Sequence, residues 1–471
     1  MSRPPQPQHP LPGRAAAGPR PDGALPTTPT GAPTGADREP AAPLTEQDGT
    51  AGQVRLADHL VPLAAVRHDP GRFTRLLARA RAETGHAECL CRTPALKLVI
   101  RSRSGRYHLA RWPGEGDQHT PECPFHQAAA NLSGRGGYTA GALTETTDGT
   151  TIRLATPLQL TGTRAAPALT TPARTTSGTA RTMSLLGLLH WLWEQAQLNL
   201  WHPTWRRSWS TCHTRLTHQA ADCTVNGHDL TTRLYVVPPY RPDNADANTT
   251  LFTTFTDQLS RIGRHQQRGL ILGEIKDITP TKYGSRLTLR HHRGALFAST
   301  PLLDKTRRSY RAALSTTTLS TPHATAATST TAAGSTQPRR IGLFLVERTP
   351  NNYLAVADMA AMLTNYRWIP ADSSHEVAMA DHLITAGRSF TKPLRYDGAD
   401  AVFPDFVLTD TPAPVYVEVY GVLGRADYDE RKRAKQEHYR DAGTAVIEWN
   451  VTDPLPEVKL RSAAPRRPPT R

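Results

Sequence analysis

The chain has 471 residues, too many for one ordinary domain, and Lys plus Arg outnumber Asp plus Glu by 56 to 41, a formal net charge of +15. That excess suits a polyanionic partner, because Lys and Arg neutralise phosphates and release their counterions. No apolar run approaches the roughly 18–20 residues that span a bilayer, and the opening MSRPPQPQHPLPGR lacks the apolar stretch of a secretion signal. No membrane partner is expected, and the location expected is cytoplasmic. Five cysteines, an odd number and widely spread, do not make a disulfide framework.

Residues 1–50 hold 12 prolines and no aromatic residue, so they are expected to be a disordered tail. A block over 55–140 opens with a helix from Pro70 to Ala82 and continues into a Cys/His segment with short strands. The block at 150–314 begins with a strand, TIRLATPLQL (151–160), followed by the apolar helix MSLLGLLHWLWEQAQLNL (183–200). Later in it, GLILGEIKDI and SRLTLRHH form a strand pair across a turn at Pro280–Gly284. Residues 315–338 are rich in Ser, Thr and Ala without hydrophobic period and read as a linker and domain boundary. The block at 339–453 alternates strands and helices, and 454–471 is a basic, Pro-rich tail. The expected architecture is multidomain, α/β and α+β. It has a small N-terminal zinc-type β-hairpin domain, a mixed middle domain and a C-terminal three-layer α/β domain.

His86, Cys89, Cys91, His108, His119, Cys123 and His126 fall within 41 residues. Thiolates and imidazoles on two knuckles with a hairpin between them are what a tetrahedral structural Zn²⁺ requires. Cys89, Cys91, His119 and Cys123 are the first choice of ligands. The competing reading is a metal-free hairpin with ordinary surface histidines. Five tryptophans (Trp191, Trp193, Trp201, Trp205, Trp209) cluster in the next block. Beside Arg206 and Arg207 they suit base stacking, but Leu185, Leu188, Leu189, Leu192 and Ala196 share the helix face at 3- and 4-residue spacing. A buried core helix is therefore the favoured reading.

From Pro370 onward the order is α-β-β-β-α-β. Glu376 sits on the first helix, Asp405 follows Pro404 at the second strand, and Glu418 lies on the third. Two carboxylates on neighbouring strands suit a hard Mg²⁺ ion with oxygen ligands. Glu418, between Val417 and Val419, needs a partner or a metal.

This pattern, Pro404-Asp405-x12-Glu418-Val419-Tyr420, resembles the PD-(D/E)XK nuclease superfamily over about 85 residues. Where that superfamily has Lys two residues after the acid, this chain has Tyr420. In some members the next helix supplies the lysine, and Lys432 and Lys435 are i, i+3 neighbours on such a helix, with Lys435 preferred. The resemblance implies a restriction-endonuclease-like fold and an Mg²⁺- or Mn²⁺-dependent DNA endonuclease. Asp405 and Glu418, with a backbone carbonyl near Val419, would hold the metal. Lys435 or Lys432 would orient the attacking water, and Glu376 would act behind them. The Cys/His segment ahead of it resembles the layout of CoiA-like nucleases. CLC-x15-YHLAR, GLLHWLWEQAQLNLW and GEIKDI are similar to an uncharacterised bacterial family of plasmids and integrative elements, which implies a mobile-element context. A second loose match, Pro242-Asp243 with Glu274-Ile275-Lys276, is set aside because a helix separates its parts and a strand follows them. The alternative functions are a catalytically silent DNA-binding member of a plasmid-transfer or maintenance complex and an adaptor docking a protein through the Cys/His segment.

Overall fold

The computed structural model describes residues 52–103, 105–138, 141–161, 181–314, 337–396, 403–421 and 426–458. The expectations for 1–50, nearly all of 315–338 and most of the tail after 454 lie outside these residues. The described residues belong to one compact unit.

Near the N-terminus, strands β1 (Gln53–Leu56), β2 (His59–Pro62), β3 (Ala87–Cys89), β4 (Leu96–Arg103) and β5 (Arg106–Arg111) form an antiparallel sheet in the order β2-β1-β3-β4-β5. Helices α1 (Leu63–His68) and α2 (Thr74–Glu83) cover it, α2 through Leu77 and Ala80. The helix expected from Pro70 begins one turn later, and α1 was not expected.

Helix α3 (Leu185–Gln195) starts where Ser184 Oγ accepts the Gly187 N–H at 3.0 Å, an ordinary N-cap. Nearly every residue along it is buried, and all five clustered tryptophans lie in the interior, as the core reading requires. The helix stops five residues short of Leu200: Gln197 turns left-handed (φ 55), and Leu200–Trp201 becomes an edge strand elsewhere. Helix α4 (Trp209–Ala221) packs beside α3. The expected strand 151–160 is two strands, Thr150–Ile152 in a small four-stranded sheet and Gln159–Thr161 in another sheet.

The centre is a closed five-stranded barrel of β6 (His265–Thr281), β7 (Gly284–Leu289), β8 (Ala295–Ala298), β9 (Arg339–Arg348) and β10 (Leu354–Thr364). Pairing runs β6-β7-β8-β10-β9 and returns to β6 through seven residue pairs, Arg268↔Glu347 to Glu274↔Ile341. Alternation along β6 and β9 divides two cores. Ile271, Ile275, Phe344 and Val346 share one with Leu287, Leu289 and Leu296; Leu270, Leu272, Leu343 and Leu345 pack with α3. Burial on both faces explains the unbroken apolar runs of these strands. The expected boundary at 315–338 therefore does not separate two domains. The low-complexity stretch falls between strands of one barrel, and 339–364 joins the middle block rather than the C-terminal one.

The C-terminal α/β unit begins at Pro370. It contains α5 (Ser374–Thr385), β11 (Phe390–Thr391), β12 (Phe406–Leu408), β13 (Val415–Tyr420), α6 (Ala426–Asp441) and β14 (Ala445–Asn450). The sheet order is β14-β13-β12-β11, antiparallel except for the parallel pair β13–β14, and Leu200–Trp201 adds a fifth strand beside β11. Ser373 Oγ caps α5 by accepting the Glu376 N–H, and Gly387 (φ 69) ends it in the left-handed region that glycine enters without a Cβ clash. Met379, Ala380 and Leu383 of α5 pack on Phe390, Phe406 and Val417. Among the described residues, no helix is long and apolar enough to cross a membrane.

Candidate functional site: a thiol cluster and a buried acid array

Strand β3 ends at Cys89, Cys91 follows two residues later, and the loop after β5 carries His119 and Cys123 back beneath them. Cys89 and Cys123 sulfurs stand 3.6 Å apart, and His119 Nδ1 lies 3.3 Å from Cys91 Sγ and 3.5 Å from Cys123 Sγ. One ligand atom from each of the four lies within 4.8 Å of every other. A tetrahedral zinc with Zn–S of about 2.3 Å and Zn–N of about 2.0–2.1 Å needs ligand atoms about 3.5–3.8 Å apart. The four residues fit, and the cluster can hold a metal such as zinc. A hydrogen bond from Cys123 holds the Cys89 thiol low, at about 4, whereas burial pushes Cys91 up and its bond to Cys89 pushes Cys123 up. Three adjacent thiols, two of them buried, cannot all ionise together without a cation, and a divalent ion removes that conflict. His119 Nε2 is buried with no hydrogen-bond partner among the described residues. The other histidines of the segment go elsewhere. His126 Nδ1 bonds the His119 carbonyl, His86 Nδ1 the Thr84 carbonyl, and His108 Nε2 the Asp222 carboxylate at 2.9 Å.

The acid array is built on β12 and β13. Phe406 pairs with Val417, so Asp405, one residue before β12, stands opposite Glu418. Its N–H donates to Val417 O at 3.1 Å, and its Oδ2 accepts the Val419 N–H at 2.8 Å. Residues directly opposed in an antiparallel pair point to the same face. Glu418 is 1% exposed. Lys435 Nζ donates to its Oε2 at 2.5 Å and Tyr439 Oη to its Oε1 at 2.7 Å, both from α6. Burial and the Asp405 charge push Glu418 up to about 7. Lys432, expected as an alternative to Lys435, points away: its ammonium donates to Asn450 Oδ1 at 2.7 Å and sits 4.1 Å from the Tyr420 ring centroid. One helical turn brings only one of the two lysines to the carboxylates.

Glu376, in the first turn of α5, is buried and also pushed up to about 7 by desolvation. Its Oε2 accepts Lys392 Nζ at 2.7 Å and the Asp372 N–H at 3.0 Å. Lys392 is 1% exposed, also reaches Asp372 Oδ2 at 3.2 Å, and is held well above the usual lysine range by Asp372, Glu376 and Asp405 against a desolvation penalty acting the other way. Sequence reasoning missed Lys392. The signal available is a lone lysine between apolar neighbours in SFTKPLRY, an extended segment close after an acidic helix. Tyr439 and Arg395, whose guanidinium lies 3.9 Å from Asp405, were missed as well. The array is thus two carboxylate–lysine pairs, Glu376–Lys392 and Glu418–Lys435, with the charge of Asp405 acting on both.

The second loose motif is structural. Pro242–Asn244 leads into a helix over Ala245–Asp257, and Glu274, 2% exposed, is neutralised by Arg290 at 2.7 Å and Arg339 at 3.1 Å.

A family profile described as "Protein of unknown function (DUF1173)" matches residues 64–452. The chain belongs to this family. The DUF1173 region takes in the thiol cluster, the barrel and the acid array together, so the sites belong to one family unit. No curated protein and no solved structure matches the chain.

Proposed function

We propose that this DUF1173 protein is a divalent-metal-dependent DNA endonuclease whose chemistry resides in the C-terminal α/β unit, a PD-(D/E)XK-like fold. The observation that carries the reading is Asp405 opposite Glu418 on adjacent strands, with Lys435 bonded to Glu418 from the following helix. The α-β-β-β-α-β order and the net charge of +15 support it. Asp405 and Glu418 offer carboxylate oxygens to Mg²⁺ or Mn²⁺, which when bound neutralises charge on the scissile phosphate and makes water a better nucleophile. Lys435 is placed to give a hydrogen bond to that phosphate or water, Tyr439 fixes the Glu418 rotamer, and Glu376 holds Lys392 beside Asp405. The thiol cluster is a structural zinc site in this reading. We also propose a cytoplasmic, mobile-element setting, such as plasmid DNA processing.

A second reading, a silent nuclease fold that binds DNA within a plasmid-transfer complex, is favoured by one feature: both Glu418 oxygens are already engaged by Lys435 and Tyr439. Incubation of the purified protein with plasmid and single-stranded DNA, with Mg²⁺, Mn²⁺ or chelator, separates the two. Metal-dependent cleavage lost in Asp405→Ala supports the enzyme. Salt-sensitive binding without cleavage under any metal supports the silent fold.

A further inference from the structure

The barrel carries a cavity of about 780 Å³ that opens to solvent and contains none of the residues of the acid array. Its wall is the outer face of β7 and the bend after it. Ser285, Leu287 and Leu289 point inward, which leaves Arg286, Thr288 and Arg290 in a row outside, each separated from the next by about 7 Å. A register shift between Ile275 and Asp277 on β6 turns Lys276 outward beside that row. Arg293 completes the set by donating to Tyr240 Oη at 3.0 Å, with its guanidinium 5.5 Å from that ring's centroid. Four cations line the groove against one acid, Asp277. Arg290 is partly committed to Glu274, but Lys276 and Arg286 form no side-chain ion pair among the described residues. Tyr240 is 41% exposed at the groove, and Tyr283, at the tip of the β6–β7 hairpin, is 83% exposed.

A set of cations of which only Arg290 has an acid partner suits an anion of matching length, and the exposed tyrosines beside it suit a flat partner. Single-stranded nucleic acid supplies both, phosphates for the arginines and unstacked bases for the tyrosines. A duplex keeps its base faces stacked and leaves Tyr240 without that partner. We infer that this groove binds single-stranded nucleic acid, with its phosphates along Lys276, Arg286, Arg290 and Arg293 and a base against Tyr240. This is a holding surface and performs no chemistry, so it stands whether or not the acid array hydrolyses DNA.

The test measures binding of the full chain to fluorescent oligodeoxynucleotides and oligoribonucleotides of one mixed sequence, and to the matching duplex, in chelator across a salt series. Binding tighter to single strands than to duplex is expected, and the two sugars decide between DNA and RNA as the natural source. A Lys276→Glu, Arg286→Glu, Arg293→Glu triple variant, which leaves the Arg290–Glu274 pair intact, removes three phosphate contacts. It should make the slope of log affinity against log salt shallower by about 2. Tyr240→Leu should weaken single-strand binding by about 5-fold or more and leave duplex binding unchanged. The control Arg81→Glu, Arg106→Glu, on the N-terminal unit, should change nothing. Equal loss in that control, unchanged binding in the triple variant, or equal affinity for duplex would overturn the inference. If the triple variant fails to fold, Tyr240→Leu decides alone. Cleavage by the acid array is silent in chelator, so its absence from the protein would not alter these outcomes.

Discussion

The thiol cluster and the acid array both bury several ionisable groups, yet they balance charge in opposite ways. In the first, Cys89, Cys91, Cys123 and His119 converge with no cationic side chain among them, and two of the three thiols are pushed up. In the second, each buried glutamate already has a lysine, and Lys392 in turn has a second acid, Asp372. A cluster without counter-charge requires an external cation to be stable in ionised form. An array that carries its own cations folds without one, and in the proposed nuclease reading its metal serves activity alone. The thiol cluster should therefore show its metal in stability, and the acid array in activity.

The largest expected effect tests the second half of that contrast. Asp405→Ala and Glu418→Ala should each lower metal-dependent DNA cleavage by on the order of 10²-fold or more, because losing one of the two proposed metal-holding carboxylates takes away both the ion and its charge stabilisation. Circular dichroism should show the fold retained. Lys435→Ala should follow them closely, whereas Lys432→Ala, whose ammonium serves Asn450 and Tyr420, should change the rate little; equal losses would mean that the two lysines share the site.

The first half is tested by metal content. Elemental analysis of protein purified without chelator should find about one zinc per chain, and Cys89→Ser with Cys123→Ser should abolish it and lower the melting temperature. Retained zinc in that double variant would reassign the ligands.

A smaller effect separates a charge pair from a metal site. Lys392→Met strands the buried carboxylate of Glu376 without its cation, a change that costs about 3–5 kcal/mol when a buried pair is broken. Denaturant titration should show this loss with or without divalent metal. A loss rescued by Mg²⁺ would place an ion next to Glu376.

The smallest effect concerns a third way of burying charge, protonation. Glu194 on α3 is 2% exposed, accepts Ser133 Oγ at 2.8 Å on both oxygens and is raised by desolvation from 4.5 to about 7. Below pH 4.5 it is protonated both folded and unfolded. As pH rises toward 7 the unfolded chain releases the proton first, so its contribution to stability falls across that window. Glu194→Gln should flatten stability against pH between about 4.5 and 7.

Much of this was legible because the signals were local. Cysteine and histidine clustering narrows the ligands to seven residues, of which the first-choice four meet, and the resemblance to nucleases whose lysine comes from the next helix points to Lys435, which bonds Glu418. The α-β-β-β-α-β order follows from alternation and from the Gly387 stop. What was not legible depended on pairing at long range. Nothing in the composition of 315–338 says that the strands on either side belong to one barrel, since low hydrophobicity marks a linker and a long barrel connection alike. Leu200–Trp201 reads as the end of a helix until β11 offers it an edge. Lys392 has no spacing rule linking it to Glu376; only the fold brings this lysine, one residue past β11, to the first turn of α5.

The barrel's closure through β6 and β9 means that neither half of this polypeptide can complete its own hydrogen-bonded edge. A chain severed between 315 and 338 yields two pieces that each present a long apolar strand, and nine backbone pairs, seven between β6 and β9 and two between β8 and β10, are available to rejoin them. The protein is thus suited to reconstitution from co-expressed halves: 1–326 and 327–471 should copurify as a complex, each insoluble alone, with the two complementary edges serving as the recognition code between them.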